Sequence, residues 1–117
     1  VRQTADRRLE PGESDPAHHE WYIEQMSQTP ARVVLETLAY LATQDLTDIL
    51  PQIKTPTLIL ASEQNAKDNP DRTTAFAEKL PNGRLVAIPG TSGYVQHSAP
   101  EECVLAWRQF LGEISGN

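Results

Sequence analysis

Two short apolar stretches decide the fold: residues 57–61 read TLILA and residues 84–88 read RLVAI. Both are too short for a helix, and the first is typical of a strand buried on both faces because polar residues do not interrupt it. A helical pattern between them begins at Asn69-Pro70 and ends near Leu80. A strand-helix-strand unit of this length favours a parallel pair with a right-handed crossover. The sequence therefore predicts an α/β layer architecture.

Amphipathic helices precede this unit. Residues 17–28 bring aromatic and apolar side chains to helical spacing. Thr29-Pro30 then supplies a capping residue type followed by proline at the first helical position, which predicts a second helix. Its apolar residues recur at intervals of three and four: Val34, Leu35, Leu38, Leu41 and Ala42. One further turn is expected over residues 45–50, closed by Pro51.

A last helix is expected after the second strand. Residues 89–97 read as a loop, and Ser98 with Glu101 three positions later matches a capping box. The apolar stripe that follows indicates an amphipathic helix: Val104, Trp107, Phe110, Leu111 and Ile114.

The first sixteen residues differ from the rest in composition. They contain three arginines and four acids, and Val1 and Leu9 are their only aliphatic residues apart from alanine. Such a segment cannot bury enough surface to offset its ordering entropy, so we expect a mobile or partner-dependent lead-in. The chain thus divides into a lead-in over 1–16, helices over 17–50 and the strand-helix-strand-helix unit over 51–117.

Charge and composition exclude several classes of function. The 117 residues carry ten basic and sixteen acidic side chains, a net charge of −6, which disfavours nucleic acid and anionic lipid as partners. The apolar runs are too short to cross a bilayer, so we expect a cytoplasmic protein without a membrane partner. Cys103 is the single cysteine, which excludes an intrachain disulfide and a multi-cysteine metal site.

A family resemblance rests on two long stretches. Residues 45–65 read DLTDILPQIKTPTLILASEQN and residues 80–111 read LPNGRLVAIPGTSGYVQHSAPEECVLAWRQFL. Together they resemble the C-terminal part of α/β-hydrolase-fold proteins such as enol-lactonases and small esterases. The resemblance implies a partial hydrolase-like layer of two parallel strands with helices packed on it, preceded by lid-type helices. It also implies a parent that hydrolyses small esters or lactones with a serine nucleophile, which this stretch does not include.

The resemblance also places the two remaining triad positions. The phrase after the penultimate strand puts Asn65 where the family has its acid, and the phrase after the last strand puts Gly93 where it has its histidine. Neither side chain can orient an imidazolium or accept a serine proton. Asp68 and His97 lie close by in sequence, and a slipped loop would make them substitutes; the alternative is a solvated acid and an exposed histidine. Ser92 is read as a turn serine, with a nucleophile as the less favoured alternative.

Other side chains have two interpretations each. Trp21, Tyr22 and Met26 line a substrate pocket if the lid resemblance holds, and otherwise pack in a core. His18 and His19 are adjacent on a helix and diverge by about 100°, which disfavours one shared metal ion, so we predict no metal and no cofactor.

The exposed edge of the first strand suggests association. The neighbouring strand of the family sheet is missing, and residues 57–61 contain neither lysine nor proline. We therefore expect self-association, or docking on a missing N-terminal half, through this edge. The start at Val1 favours a piece of a larger enzyme, inactive as an isolated chain. The alternative is a non-catalytic, degenerate hydrolase-like interaction module.

Overall fold

The computed structural model describes residues 1–9 and 12–116 and has a mixed α/β architecture. In chain order the elements are α1 (Arg2–Arg8), α2 (Pro16–Gln28), α3 (Ala31–Leu41), a 3₁₀ helix (Thr47–Gln52), β1 (Thr57–Ser62), α4 (Glu63–Asp68), α5 (Pro70–Glu78), β2 (Gly83–Ile88), α6 (Val95–Ser98) and α7 (Pro100–Ile114). Both expected strands are present, as are the expected helices α2, α3, α5 and α7.

The two strands are parallel neighbours, which confirms the predicted pairing. Thr57 pairs with Gly83 and the register continues to Ser62 opposite Ile88. Within the described residues these two strands make up the whole sheet. The prediction of a first strand buried on both faces is wrong, because Thr57 to Leu60 are only partly buried. Burial on both faces requires neighbouring layers that this sheet has only in part.

A close approach of backbone fixes the start of β2. A Cβ atom on Gly83 would lie 2.5 Å from the carbonyl oxygen of Ala77 and 2.7 Å from Leu80 Cβ, so only glycine fits there. The preceding Asn82 holds the turn, since its Nδ2 donates to Lys54 O at 2.6 Å and its carbonyl accepts from Thr57 N at 3.0 Å. Through these two hydrogen bonds, the turn that links α5 to β2 is also held against the start of β1.

The main hydrophobic cluster lies between the sheet and the last two helices. Its buried members are Ile88, Val95, Ala99 and Cys103, and Leu60 and Val86 pack against them. Leu60 and Val86 are paired in register, so their side chains share one face of the sheet. Helices α5 and α7 each contact both strands. The cluster therefore fixes the C-terminal helices on the sheet.

The lead-in differs from its prediction. Residues Arg2–Arg8 form a helix, and Ala5 and Leu9 are 0% and 1% exposed. The helix packs against α2, and the carbonyl of Arg8 accepts from Tyr94 N at 2.6 Å. The sequence predicted a mobile or partner-dependent segment, and the helix observed here owes its burial to contacts with distant segments, which supply what the segment lacks by itself. Glu10 and Pro11, also in the predicted lead-in, lie outside the described residues.

Local details of several helices also differ from the predictions. Helix α4 occupies part of the expected loop after β1, and α6 occupies part of the expected loop after β2. The capping box at Ser98 is wrong: α7 begins at Pro100, and Ser98 Oγ donates to Tyr94 O at 3.4 Å. Pro51 lies inside the 3₁₀ helix and does not close it.

Two helices leave apolar faces uncovered. Every residue of α3 is exposed, including Leu35 at 67% and Leu38 at 56%. On α7, Leu105 and Trp107 of the amphipathic helix are 65% and 54% exposed. Among the described residues, no helix is long and apolar enough to span a membrane.

Candidate functional site

The carboxyl ends of the two parallel strands meet at one edge of the sheet. β1 ends at Ser62, whose hydroxyl oxygen accepts from Asn65 N and whose Oγ–H donates to Ser92 O, both at 3.2 Å. Gln64 N donates to Thr91 O at 3.1 Å. These bonds fasten the segment after β1 to the segment after β2. Side chains from both segments are therefore held together, as expected at this edge of a parallel sheet.

A cavity of about 520 Å³ opens at this edge. Its walls come from α1, β1, α4, α5 and the segment after β2. Polar or charged residues of the lining include Arg7, Ser62, Asn65, Arg72, Thr73, Ser92 and Gln96, and its apolar residues include Ile59, Leu60, Phe76 and Val95. The volume lies in the range of small-molecule sites.

Both predicted triad positions lie in this cavity. Asn65 and Gly93 are part of its lining, although they come from different segments. Asn65 Oδ1 accepts from Asn69 Nδ2 at 2.9 Å, and Gly93 offers only its backbone. The positions that the resemblance assigned after β1 and after β2 therefore lie in the same cavity. Asn65 has no carboxylate and Gly93 has no imidazole, so these two residues cannot relay a proton.

The two proposed substitutes have other partners. Asp68 is the last residue of α4, and its Oδ2 accepts from Gln64 Nε2 at 2.7 Å. His97 lies on α6, where its Nδ1 is 2.7 Å from His18 Nε2. The structure thus places Asp68 and His97 in separate hydrogen-bond pairs rather than in one relay.

Ser92 is hydrogen-bonded to the carboxylate of Glu13, which lies in the lead-in. Its Oγ donates to Glu13 Oε1 at 2.7 Å, and its backbone N–H donates to Glu13 Oε2 at 3.1 Å. A carboxylate that accepts both bonds fixes the turn and holds the lead-in against it. Its partner is a carboxylate, which is a weaker base than the imidazole that activates the serine of a catalytic triad. The turn interpretation of Ser92 agrees with this geometry.

An aromatic cluster joins α2 to the segment around α6. The His97 ring lies 4.8 Å from the His18 ring and 5.8 Å from the Tyr22 ring, measured between centroids. Burial, and then the proximity of His18, lower the pKa of His97. Arg8 Nη1 donates to the Tyr22 hydroxyl at 3.2 Å, which raises the pKa of Arg8.

The three residues expected to line a substrate pocket, Trp21, Tyr22 and Met26, lie on α2. Trp21 is 53% exposed and stacks on His18 at 5.5 Å, while Tyr22 and Met26 are partly buried. All three lie outside the lining of the cavity described above. The neighbouring His19 points elsewhere, with its Nε2 3.1 Å from Asp6 Oδ1. The divergence of His18 and His19 follows from their adjacent positions on a helix.

The carboxylate of Glu63, which the sequence analysis did not single out, fastens the turn after β2 to the start of α4. Glu63 Oε2 accepts from Gly90 N at 3.0 Å, and its Oε1 accepts from Lys67 Nζ at 3.0 Å. The Gly90 N–H, and then Lys67, lower the pKa of Glu63. Gly90 has a φ of 71°, the left-handed region that favours glycine. The Pro89-Gly90 pair indicates a turn from the sequence alone, whereas no sequence pattern indicates that Glu63 accepts the Gly90 N–H.

Other residues of the site were also missed by sequence reasoning. Arg7 and Glu13 fall in a segment whose composition predicted no order, and Arg72 has no local motif. In the described part of the chain, no group of three or more His, Cys, Asp and Glu side chains is arranged to hold a metal ion. The arrangement can bind a polar or anionic molecule, because its lining includes the amides of Asn65 and Gln96 and the guanidinium groups of Arg7 and Arg72.

Comparisons with protein-family models, with curated proteins and with solved structures found no match for this chain.

Proposed function

We propose that this chain is the C-terminal part of an α/β-hydrolase-like unit, inactive by itself, that associates through the free edge of β1. The observation that carries this proposal is that β1 pairs with β2 on one side only, within residues 1–9 and 12–116. An unpaired strand edge offers a row of backbone N–H and C=O groups to another strand. The stretch from Thr57 to Leu60 has neither lysine nor proline to prevent such pairing.

Uncovered apolar surface supports association. Leu35, Leu38 and Leu41 of α3 are each more than half exposed, as are Leu105 and Trp107 of α7. Contiguous apolar patches on a helix face are features of surfaces that another protein segment covers. The partner is a second copy of this chain or the N-terminal half of the same unit. A second copy paired symmetrically would make an antiparallel junction and a four-stranded sheet.

The absence of activity in the isolated chain follows from the side chains at the cavity. Asn65 and Gly93 stand at the positions that need an acid and a base, and Ser92 is bonded to Glu13. An acyl transfer through a serine is best served by a base whose pKa lies near the working pH, such as an imidazole, and a carboxylate is a weaker base. This favours a second candidate, a degenerate interaction module whose parent has also lost catalysis. The two candidates differ only in whether the completed unit hydrolyses small esters or lactones.

Light scattering between about 1 and 100 µM tests association, because a self-associating chain gains mass with concentration. We expect a dimer, with slow amide exchange at the β1 edge that becomes fast on dilution. A monomer whose outer β1 amides exchange rapidly, and which binds no added N-terminal half, would contradict the proposal. Leu38→Glu, compared with Thr37→Glu on the same exposed helix, tests whether the α3 face takes part.

A serine-directed phosphonate tests the catalytic part separately. We expect it to leave the isolated chain unlabelled, because Ser92 has a carboxylate and no imidazole to accept its proton. Stoichiometric labelling of Ser92 would contradict the claim that the chain is inactive alone. Labelling of a completed unit, at a serine outside this chain, would select the hydrolase over the interaction module.

A further inference from the structure

Two arginines from separate helices line the same cavity. Arg7 is on α1 and Arg72 is on α5, and both belong to the lining at the carboxyl end of β1. Four other arginines have a side-chain partner: Arg2 with Glu20, Arg8 with Tyr22, Arg32 with Glu36 and Arg84 with Glu113. Arg7 and Arg72 form no ion pair with another residue of the described ranges. Within the described ranges, no carboxylate therefore neutralises these two positive charges.

The rest of the cavity is suited to an anion. Among the described residues, no aspartate or glutamate belongs to its lining, although the chain has sixteen acidic residues against ten basic ones. Neutral donors accompany the guanidinium groups, namely the side-chain amides of Asn65 and Gln96. The nearest carboxylate along the hydrogen-bond network, Glu13, is bound to Ser92. The chain is acidic overall, yet this concave surface carries positive charge.

Apolar side chains limit what kind of anion fits. Ile59, Phe76 and Val95 contribute to the walls, and the cavity volume of about 520 Å³ exceeds what an inorganic anion would fill. Sites that bind small organic molecules combine apolar walls with a few convergent polar groups. Arginine recognises a carboxylate through two parallel N–H···O bonds. A ligand matched to this surface has a carboxylate at one end and a short apolar body at the other.

We propose that the cavity binds a small organic carboxylate, held by Arg7 and Arg72 at its charged end and by the apolar wall at the other. This inference goes beyond the proposed association, because Arg7 and Arg72 lie on helices and not on the β1 edge. It also assigns a role to α1, which contributes one of the two charges. Binding would then stabilise the docked position of that helix.

Isothermal titration of the full chain with hexanoate tests the proposal. We expect a dissociation constant of about 0.1 to 1 mM, since both arginines are solvent-exposed and the ligand is small. Hexanol, which has the same apolar body without the charge, should bind about tenfold more weakly. Affinity for hexanoate should fall as salt is added, because exposed charges are screened. Equal binding of hexanol and hexanoate would overturn the proposal.

Single substitutions assign the charged end. Arg7→Gln and Arg72→Gln should each weaken hexanoate binding about fivefold, because each removes one charge-assisted contact. Arg108→Gln is the matched control: this exposed arginine lies on α7, outside the cavity lining, and its loss should leave the affinity unchanged. Unchanged thermal unfolding would show that all three variants fold.

Inorganic phosphate distinguishes an organic ligand from a general anion site. We expect phosphate to bind more weakly than hexanoate, because it cannot use the apolar wall. Phosphate binding as tight as that of hexanoate would overturn the assignment of a carboxylate with an apolar body, and so would unchanged affinity in both arginine variants. Because residues 59–62 of β1 also line the cavity, light scattering at the titration concentration records the oligomeric state. Failure to bind hexanoate in the monomer and in the dimer alike contradicts this proposal and leaves the association untouched.

Discussion

Nε2 of His18 lies 2.7 Å from Nδ1 of His97, so two residues 79 positions apart share a hydrogen bond between helices α2 and α6. The bond joins the N-terminal pair of helices to the segment that follows the last strand. The same junction contains the Ser92–Glu13 bonds and the bond from Tyr94 N to Arg8 O. Polar contacts thus make up much of what fastens the lead-in to the α/β unit, and they can be tested one at a time.

Lowering the pH should weaken this junction. Burial and the nearby His18 lower the pKa of His97 below its ordinary value of 6.5, so the folded state binds its proton less readily than the unfolded state. The stabilisation is complete above pH 6.5 and is lost as the pH falls toward the lowered pKa. The rings of Tyr22 and Tyr94 face the His97 ring, and Arg8 contacts both tyrosines. Among the described residues, no carboxylate forms an ion pair with His97.

Titration of the His97 ring protons by NMR, together with urea unfolding at pH 7.5 and 5.5, measures this effect. His18→Gln should reduce the pH dependence of the free energy of unfolding, because it removes the second ring. A measured pKa of His97 at or above 6.5 would contradict the prediction.

Gly83→Ala should destabilise the fold by about 2–3 kcal/mol, since the new methyl group overpacks against backbone. The added Cβ would lie 2.5 Å from Ala77 O, and this carbonyl belongs to the last turn of α5, so it cannot move aside without displacing the end of that helix. Gly90→Ala provides a contrast, because nothing lies within 4 Å of its added Cβ but its φ is 71°. We expect the latter change to cost about 1 kcal/mol through the left-handed backbone alone. Urea unfolding measures both, and an equal cost would refute the overpacking argument.

The Ser92–Glu13 contact should show coupling in a double-mutant cycle. Ser92→Ala removes the hydroxyl donor and Glu13→Gln removes the charge from the acceptor. We expect a coupling free energy of about 0.5–1.5 kcal/mol, reduced from that of a fully buried charged bond because both side chains are partly solvated. Hydrogen exchange of the Tyr94 amide, which donates to Arg8 O, should accelerate in each variant. Additive stability changes with unaltered exchange would show that Glu13 does not hold the lead-in.

Cys103 should react slowly in the native protein. Its side chain is 8% exposed, and burial, followed by the proximity of Glu102, raises the pKa of its thiol. Since the thiolate is the reactive form, alkylation at pH 8 should be about 10–100-fold slower in the native state than in urea. Mass spectrometry of the labelled fraction over time measures the two rates. Equal rates would place Cys103 outside the packed cluster.

Local patterns were sufficient to predict the main elements. The uninterrupted apolar run of β1, the Pro-initiated helix α5 and the turn before Gly83 predicted a parallel strand-helix-strand unit, which the structure confirms. The family resemblance assigned Asn65 and Gly93 as positions after the two strands, and the structure places both in the lining of one cavity. The predictions of the strands and helices depended on residue spacing within short segments, which a sequence carries without help from tertiary contacts.

The sequence by itself determined the order of elements, the parallel pairing and the absence of an acid and an imidazole at positions 65 and 93. The tertiary structure alone decided the helix in the lead-in, the pairing of His18 with His97, the hydrogen bond from Ser92 to Glu13 and the placement of Arg7 and Arg72 in the lining of one cavity. The physical reason is that strand and helix periodicity arise from neighbours, whereas a contact across 79 residues depends on how separate elements pack. A polar segment such as Arg2–Arg8 becomes ordered only when a distant surface supplies its partners.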